Sequence, residues 1–242
     1  MKIAVWFSCG AASAVALKET LKRFPREEVI AVNQTIKEEH PDNRRFLRDV
    51  EKWLGVKIEK CPSPEYPSQS AKDVWEKRKY MSGVLGAPCT MILKKQARQH
   101  WEEENKPNWH VLGFTADEKK RYDKFVITER ANVFPVLIDA GITKEDCFDI
   151  LKEAGIRRPK MYDLGFSNAN CIGCVKATGA GYWNLVRKKF PKVFADRAEQ
   201  SKRLGVKLTR YKNKRIFLED LPEGYGRKIE EMPECGIFCE EK

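Results

Sequence analysis

The stretch Ile3-Ala4-Val5-Trp6-Phe7-Ser8-Cys9-Gly10-Ala11-Ala12-Ser13 decides how this chain is read. Ile3 to Phe7 is an apolar run of strand length, and Ala11 to Phe24 carries apolar residues at helical spacing. Ser8 to Ser13 therefore sits where a first strand turns into a first helix. Small residues there let backbone N–H groups approach a phosphate, and a helix N-terminus adds partial positive charge. The hydroxyls of Ser8 and Ser13 can donate further hydrogen bonds. The loop is neither G-x-x-x-x-G-K-[ST] nor G-x-G-x-x-G, so the common nucleotide fingerprints are absent. The same residues would also make a plain tight β–α turn.

Working outward, Val29 to Gln34 reads as a second strand and Val56 to Cys61 as a third. Between them, Asn43 to Leu54 places Phe46, Leu47, Val50, Trp53 and Leu54 on one helical face. Pro62 to Ser70, with three prolines and three serines, is a loop. Helical patterns cover Ala71 to Met81, Met91 to Glu104 and Thr143 to Ala154. Strands are expected at His110 to Phe114 and Asn132 to Ile138, separated by the charged stretch Asp117 to Arg130. Beyond Gly165 come Cys- and Gly-rich turns, a helix over Tyr182 to Leu204 and a basic, hairpin-like stretch.

Strands alternating with helices of this length imply an α/β fold with an open, doubly wound, mostly parallel sheet, strand one central. The expected division is a nucleotide-binding domain at 1–165 and a small basic Cys-containing region at 166–242. Ligands in such sheets bind at the carboxyl ends of strands near a topological switch point. Ser8 to Ser13 should then lie beside Gly113, with an adenine toward Val32 to Gln34, around Asn33. Next to Gly113, Glu118 could accept from a ribose or adenine, and Arg121 could pair with phosphate or sulfate. The alternative for Gly113 to Arg121 is a solvated, charged helix start.

Composition narrows the class. Hydrophobic residues make up 42% and charged residues 33% of the 242, which argues against a disordered or collagen-like chain. No apolar run reaches the roughly 18 residues of a membrane span, and the apolar start is too short for a signal peptide, so a cytoplasmic protein is expected. The net charge is +11, and residues 181–230 alone hold fourteen Lys or Arg against six Asp or Glu. Such a segment suits a polyanion, or is a solvated face. Aromatics among those charges, Tyr182, Trp183, Phe190, Phe194 and Tyr211, could stack nucleic-acid bases or simply be core.

Eight cysteines in a reducing compartment point to metal, cluster or thiol chemistry rather than disulfides. Cys171-Ile172-Gly173-Cys174 offers two thiolates across a glycine turn, suited to one metal or cluster. Near the end of the sequence, Cys235 and Cys239 could supply a nucleophile or close a metal site.

Taken in order, these pieces resemble the phosphoadenosine phosphosulfate (PAPS) reductase family of the PP-loop, or adenine nucleotide α-hydrolase-like, superfamily. Ser8-Cys9-Gly10-Ala11-Ala12-Ser13 stands where that superfamily has its S-G-G-x-D-S phosphate loop, and His40-Pro41-Asp42 where it has H/F-P-E/D-T. Cys89-Thr90 with Lys94 is similar to C-C-x-x-x-K, and Gly113 to Arg121 to G-x-R-x-x-E-S-x-x-R. Tyr162 to Phe166 followed by Cys171 and Cys174 is similar to L-Y-x-x-G-Y-x-x-x-G-C-x-x-C. Glu234-Cys235-Gly236-Ile237 matches the E-C-G-I/L-H tail, whose cysteine attacks sulfur in the reductases. The departures are Ala12 in place of an acidic residue, Pro88 in place of the first of two tandem cysteines, and Phe238 in place of the tail histidine, followed by an additional Cys239.

The resemblance implies an enzyme that uses an adenine nucleotide, PAPS or similar, for sulfur transfer or sulfonyl reduction, with Cys235 as nucleophile. It implies a [4Fe–4S] cluster on Cys89, Cys171 and Cys174 beside the nucleotide, and a thiol reductant such as thioredoxin; the additional Cys239 offsets the missing partner of Cys89 as the expected fourth ligand, and its close spacing to Cys235 allows the two roles to be reversed. The competing arrangement is zinc on Cys171, Cys174, Cys235 and Cys239. Two other functions fit the residues: ATP-dependent sulfur insertion into a nucleic acid, and a non-catalytic nucleotide-binding regulator.

Overall fold

A computed structural model describes residues 1–83 and 86–226. In chain order, β1 (Lys2–Trp6), α1 (Ala11–Arg23), β2 (Glu28–Asn33), α2 (Asp42–Leu54) and β3 (Ile58–Lys60) come first. They are followed by α3 (Ala71–Arg78), the short α4 (Pro88–Thr90), a π-helical stretch (Met91–Gln96) and α5 (Ala97–Asn105). Next come β4 (Trp109–Val111), a 3₁₀ turn (Ala116–Glu118), α6 (Lys119–Thr128), β5 (Val133–Phe134), α7 (Val136–Asp139) and α8 (Lys144–Glu153). The last described elements are α9 (Lys160–Asp163), α10 (Ala180–Lys189), α11 (Pro191–Arg203), the hairpin β6 (Thr209–Tyr211) and β7 (Lys214–Ile216), and a 3₁₀ turn at Leu218–Asp220. Among the described residues no helix is long and apolar enough to cross a membrane.

The chain divides into two compact units. The first comprises residues 1–35, 41–62 and 97–159; the second comprises 36–40, 63–96 and 160 onward. The second unit thus draws in two earlier segments besides the region after 160, which no single cut of the chain produces.

The first unit holds a five-stranded, all-parallel sheet in the order β3-β2-β1-β4-β5, with β1 central as its apolar run requires. Ile3, Ala4, Val5, Trp6 and Phe7 are all buried, since helices cover a parallel sheet on both faces. β2 lies on one side of β1 and β4 on the other, paired from Lys2↔Glu28 to Trp6↔Val32 and from Ile3↔Trp109 to Val5↔Val111. The connections therefore reverse direction at β1, and the switch point opens between the carboxyl ends of β1 and β4.

The core of the second unit gathers Trp75, Met81, Leu93, Tyr182, Trp183, Val186 and Phe194. Two sequence expectations are corrected, and one left open between two readings is decided. The strand expected over Asn132 to Ile138 is only Val133–Phe134, because Pro135 lacks a ladder donor and the chain turns into α7. The helix expected from Tyr182 to Leu204 is two, broken at Phe190, with Pro191 in the first turn of α11. Of the aromatics, Tyr182 and Trp183 on α10 and Phe194 on α11 are buried core residues, the cations of α10 lying in its last turn.

Candidate functional site

The Ser8–Ser13 loop is closed by its own side chains. Ser13 Oγ donates to Gly10 O at 2.9 Å and accepts from Ser8 N at 3.2 Å. Ser8 Oγ lies 3.4 Å from the same oxygen. Cys9 turns the chain with φ 58°, a left-handed conformation that costs a non-glycine residue about 1–2 kcal/mol. Gly10 is the N-cap of α1 with no side-chain cap, and the first turn of the helix contains no acidic residue. The N-terminus of a helix carries partial positive charge, so the turn suits an anion.

Asn33, at the end of β2, is buried and ties the loop's base to the sheet. Its Nδ2 donates to Phe7 O at 2.7 Å and lies 3.5 Å from Cys9 Sγ, and Thr35 Oγ1 donates to its Oδ1 at 2.7 Å. Across the switch point, Gly113 touches the loop. A Cβ on Gly113 would stand 2.9 Å from Ser13 N and 3.0 Å from the Ala12 carbonyl carbon. Only glycine lets the two loops meet, and the structure brings them together as the topology demands.

Glu118 and Arg121 are engaged with the protein itself. Thr115 N and Oγ1 each donate to Glu118 Oε2 at 3.3 Å, and Arg121 Nη1 donates to Glu118 Oε1 at 2.5 Å. The Arg121 guanidinium also lies over the Phe114 ring, 5.2 Å from its centre. The pair orders the start of α6 next to Gly113.

The second unit contains Cys89, Cys171 and Cys174. Cys174 belongs to its apolar core, and Cys89 and Cys171 pack against that core, partly exposed. Three contacts pin the C-x-x-C turn: Ile172 N donates to Glu38 O at 2.9 Å, Cys174 N to Tyr182 Oη at 2.7 Å, and Arg197 Nε to Gly173 O at 3.4 Å. Gly173 takes φ 67°, and a Cβ there would press on Val193 and Arg197 of α11. Burial draws the Arg197 pKa below its ordinary value, while the negative charges of Glu38 and Cys171 oppose the shift. Burial raises the Tyr182 phenol well above its usual range, so it stays neutral.

Glu38 carries a second duty: its carboxylate accepts from Ser70 Oγ at 2.7 Å and from Ala71 N at 2.8 Å, at the start of α3. Neither Glu38 nor Arg197 is marked by a motif. The stretch after Cys89 is π-helical and buries Lys94, a rare geometry that is frequent at functional sites.

Thiolates on one glycine turn are soft donors of the kind that hold iron or zinc. Among the described residues, no group of three or more His, Cys, Asp or Glu side chains is arranged to hold a metal ion. Cys235 and Cys239 lie outside the described residues. The Cys171 and Cys174 thiols fit iron or zinc in their chemistry. Cys61 and Cys147 are buried, and burial raises their thiols to about 11 and about 12, so both are structural.

A parallel sheet in this order, with a small-residue loop meeting a glycine at the switch point, defines a nucleotide-binding α/β protein of the PP-loop, adenine nucleotide α-hydrolase-like class. The phosphoadenosine phosphosulfate reductase domain family matches residues 2–180, and the chain belongs to that family. No curated protein matches the sequence.

Proposed function

We propose that this protein is an adenine-nucleotide-dependent enzyme of sulfur metabolism that reduces or transfers the sulfonyl group of PAPS or a close analogue. The observation that carries the reading is the contact between Gly113 and the Ser8–Ser13 loop, which forms one anion-receptive edge in a chain of this family. Arg121 adds a cation next to that edge.

In the proposed reaction the Cys235 thiolate forms a bond to the sulfonyl sulfur. The sulfur–oxygen bond to the nucleotide phosphate breaks, and its electron pair leaves with adenosine 3′,5′-bisphosphate. A dithiol reductant such as thioredoxin then attacks Cys235 Sγ. Sulfite departs with the sulfur–sulfur electron pair and a disulfide remains. Two thiols are oxidised and sulfur gains two electrons. Cys89, Cys171, Cys174 and Cys239 are the residues proposed to hold a [4Fe–4S] cluster, four cysteine thiolates being the usual complement of such a group.

The test is anaerobic. Protein supplied with PAPS and reduced thioredoxin is expected to release sulfite and adenosine 3′,5′-bisphosphate in equal amounts, and Cys235→Ser to bind nucleotide without releasing sulfite. Undiminished sulfite release by that variant would remove the reading. The same preparation should be brown, and Cys89→Ala should bleach it. A colourless protein with one equivalent of zinc would point instead to Cys171, Cys174, Cys235 and Cys239.

A further inference from the structure

Residues 200–218 hold seven Lys or Arg and no Asp or Glu. Two of the seven have acidic partners, Lys202 with Glu219 and Arg203 with Glu76. The other five, Lys207, Arg210, Lys212, Lys214 and Arg215, are exposed on and around the β6–β7 hairpin, and none forms an ion pair among the described residues. In the hairpin register Arg210 stands directly opposite Arg215. Like charges facing one another across a ladder destabilise it, so stability of the hairpin does not account for them.

Aromatic surface lies among these cations. Tyr211 and Tyr225 meet edge to face with ring centres 4.6 Å apart, and Tyr225 is 39% exposed. Lys212 N donates to Tyr225 Oη at 3.4 Å, and the Lys212 ammonium sits 5.3 Å from the centre of the Tyr211 ring. Arg210 and Tyr225 also line a cavity of about 450 Å³. The hairpin is anchored from below, where Thr209 Oγ1 donates to Thr178 O at 3.2 Å.

We propose that the β6–β7 hairpin with Tyr225 is a docking surface for single-stranded nucleic acid. A row of exposed cations tracks a phosphate backbone, and an exposed aromatic ring accepts an unpaired base whatever its identity. A lone nucleotide would engage one or two of the five cations and leave the like-charged pair unexplained. A membrane surface would call for exposed aliphatic side chains, and among the described residues Tyr225 is the one large apolar residue that the hairpin region exposes. The surface belongs wholly to the second unit and does not depend on the nucleotide reading of Ser8 to Ser13.

The experiment is fluorescence anisotropy of the full chain with a labelled twelve-nucleotide strand, ribo and deoxy, and with the matching duplex. If five phosphates are neutralised, single-strand affinity should fall about a hundredfold between 50 and 200 mM salt, from a slope of about −0.7 per contact. Arg210→Gln with Arg215→Gln should weaken binding about tenfold or more while the melting temperature holds or rises, because the repulsion between the strands is relieved. Tyr225→Ala should cost about tenfold on the single strand and leave heparin binding unchanged. A preference for the ribo or the deoxy strand would say which nucleic acid is the partner. No binding at 50 mM salt, equal binding of duplex and single strand, indifference of the single strand to Tyr225→Ala, or binding only to phosphatidylserine vesicles would each overturn the proposal. The hairpin variants should keep wild-type affinity for adenosine 3′,5′-bisphosphate, so strand binding and nucleotide binding fail or stand separately.

Discussion

The Ser8–Ser13 loop and the Cys171–Cys174 turn are both short, glycine-containing and functional in prospect, yet they are built in opposite ways. The loop is held by itself and by the strand ends beside it: Ser13 bonds Gly10 and Ser8, and Asn33 bonds Phe7. The turn is held from three distant places, by Glu38, Tyr182 and Arg197. A self-closed loop depends on the sheet under it. A turn pinned from outside depends on every element that reaches it, so single substitutions far along the chain should loosen it. The two units also carry different titrating groups, which gives a way to separate them.

The largest effect should come from acid. In the first unit His110 is almost wholly buried; Trp6 Nε1 donates to its Nδ1 at 3.1 Å, and the Arg130 guanidinium bonds Nε2. Burial, reinforced by the positive charges of Arg130 and Arg98, lowers its pKa to about 3 from the ordinary 6.5. The unfolded chain therefore binds the proton more readily. The stability that the neutral imidazole contributes is complete above about pH 6.5 and declines as pH falls toward 3, by about 1.4 kcal/mol per unit. About 4 kcal/mol should be gone by pH 3.5. In the second unit, Glu76 is held down to about 2 by its hydrogen bond and ion pair with Arg203. Its contribution is complete above the ordinary carboxylate range and is lost only as pH falls from about 4.5 toward 2. Hydrogen exchange at pH 5 should show β1 and β4 amides losing protection while α10 and α11 keep theirs. Equal loss in both sets would break the contrast.

Arg197→Ala should have the next largest effect. The side chain is buried, spans from Gly173 O to the Trp75 ring, 4.5 Å from its centre, and faces the charges of Glu38 and Cys171. Its removal takes a cation from beside Glu38 and Cys171 and leaves a void beneath the turn, at a cost of about 3 kcal/mol. Thermal unfolding should show the drop, and mass-spectrometric labelling should show Cys174 newly open to alkylation. A variant with wild-type melting temperature and unchanged labelling would mean that the turn, like the loop, holds itself.

This contrast explains what the sequence could disclose. The β1–loop–α1 unit was legible because its determinants are local: an apolar strand, small residues and a helical repeat within about twenty positions. The place of Gly113 beside the loop also followed, since parallel topology puts the ends of β1 and β4 side by side. β5 was over-extended because Val136, Leu137 and Ile138 are as apolar as a strand, and Pro135 had to be weighed against them. Tyr182, Trp183 and Phe194 were open to two readings because cations lie between them in sequence, while helical geometry turns those aromatics into the core. The partnership of Glu38 and Arg197 with the C-x-x-C turn had no local signal at all, because the three segments meet only in the folded unit.

The smallest expected effect falls on the loop itself. Ser13→Ala removes one oxygen that donates to Gly10 O and accepts from Ser8 N. Ser8 is exposed and Gly10 partly so, which lets water take over both lost bonds. The fold should therefore lose under about 1 kcal/mol, and the sheet should keep its order. A bound phosphate, by contrast, depends on the spacing of N–H groups that Ser13 fixes through Gly10 and Ser8. Affinity for adenosine 3′,5′-bisphosphate, read by calorimetry, should fall by about 1 kcal/mol, close to fivefold. The melting temperature and the affinity thus move apart, the reverse of Arg197→Ala, where stability carries the loss. If Ser13→Ala leaves affinity intact and lowers stability instead, the loop is a packing turn and the anion binds elsewhere.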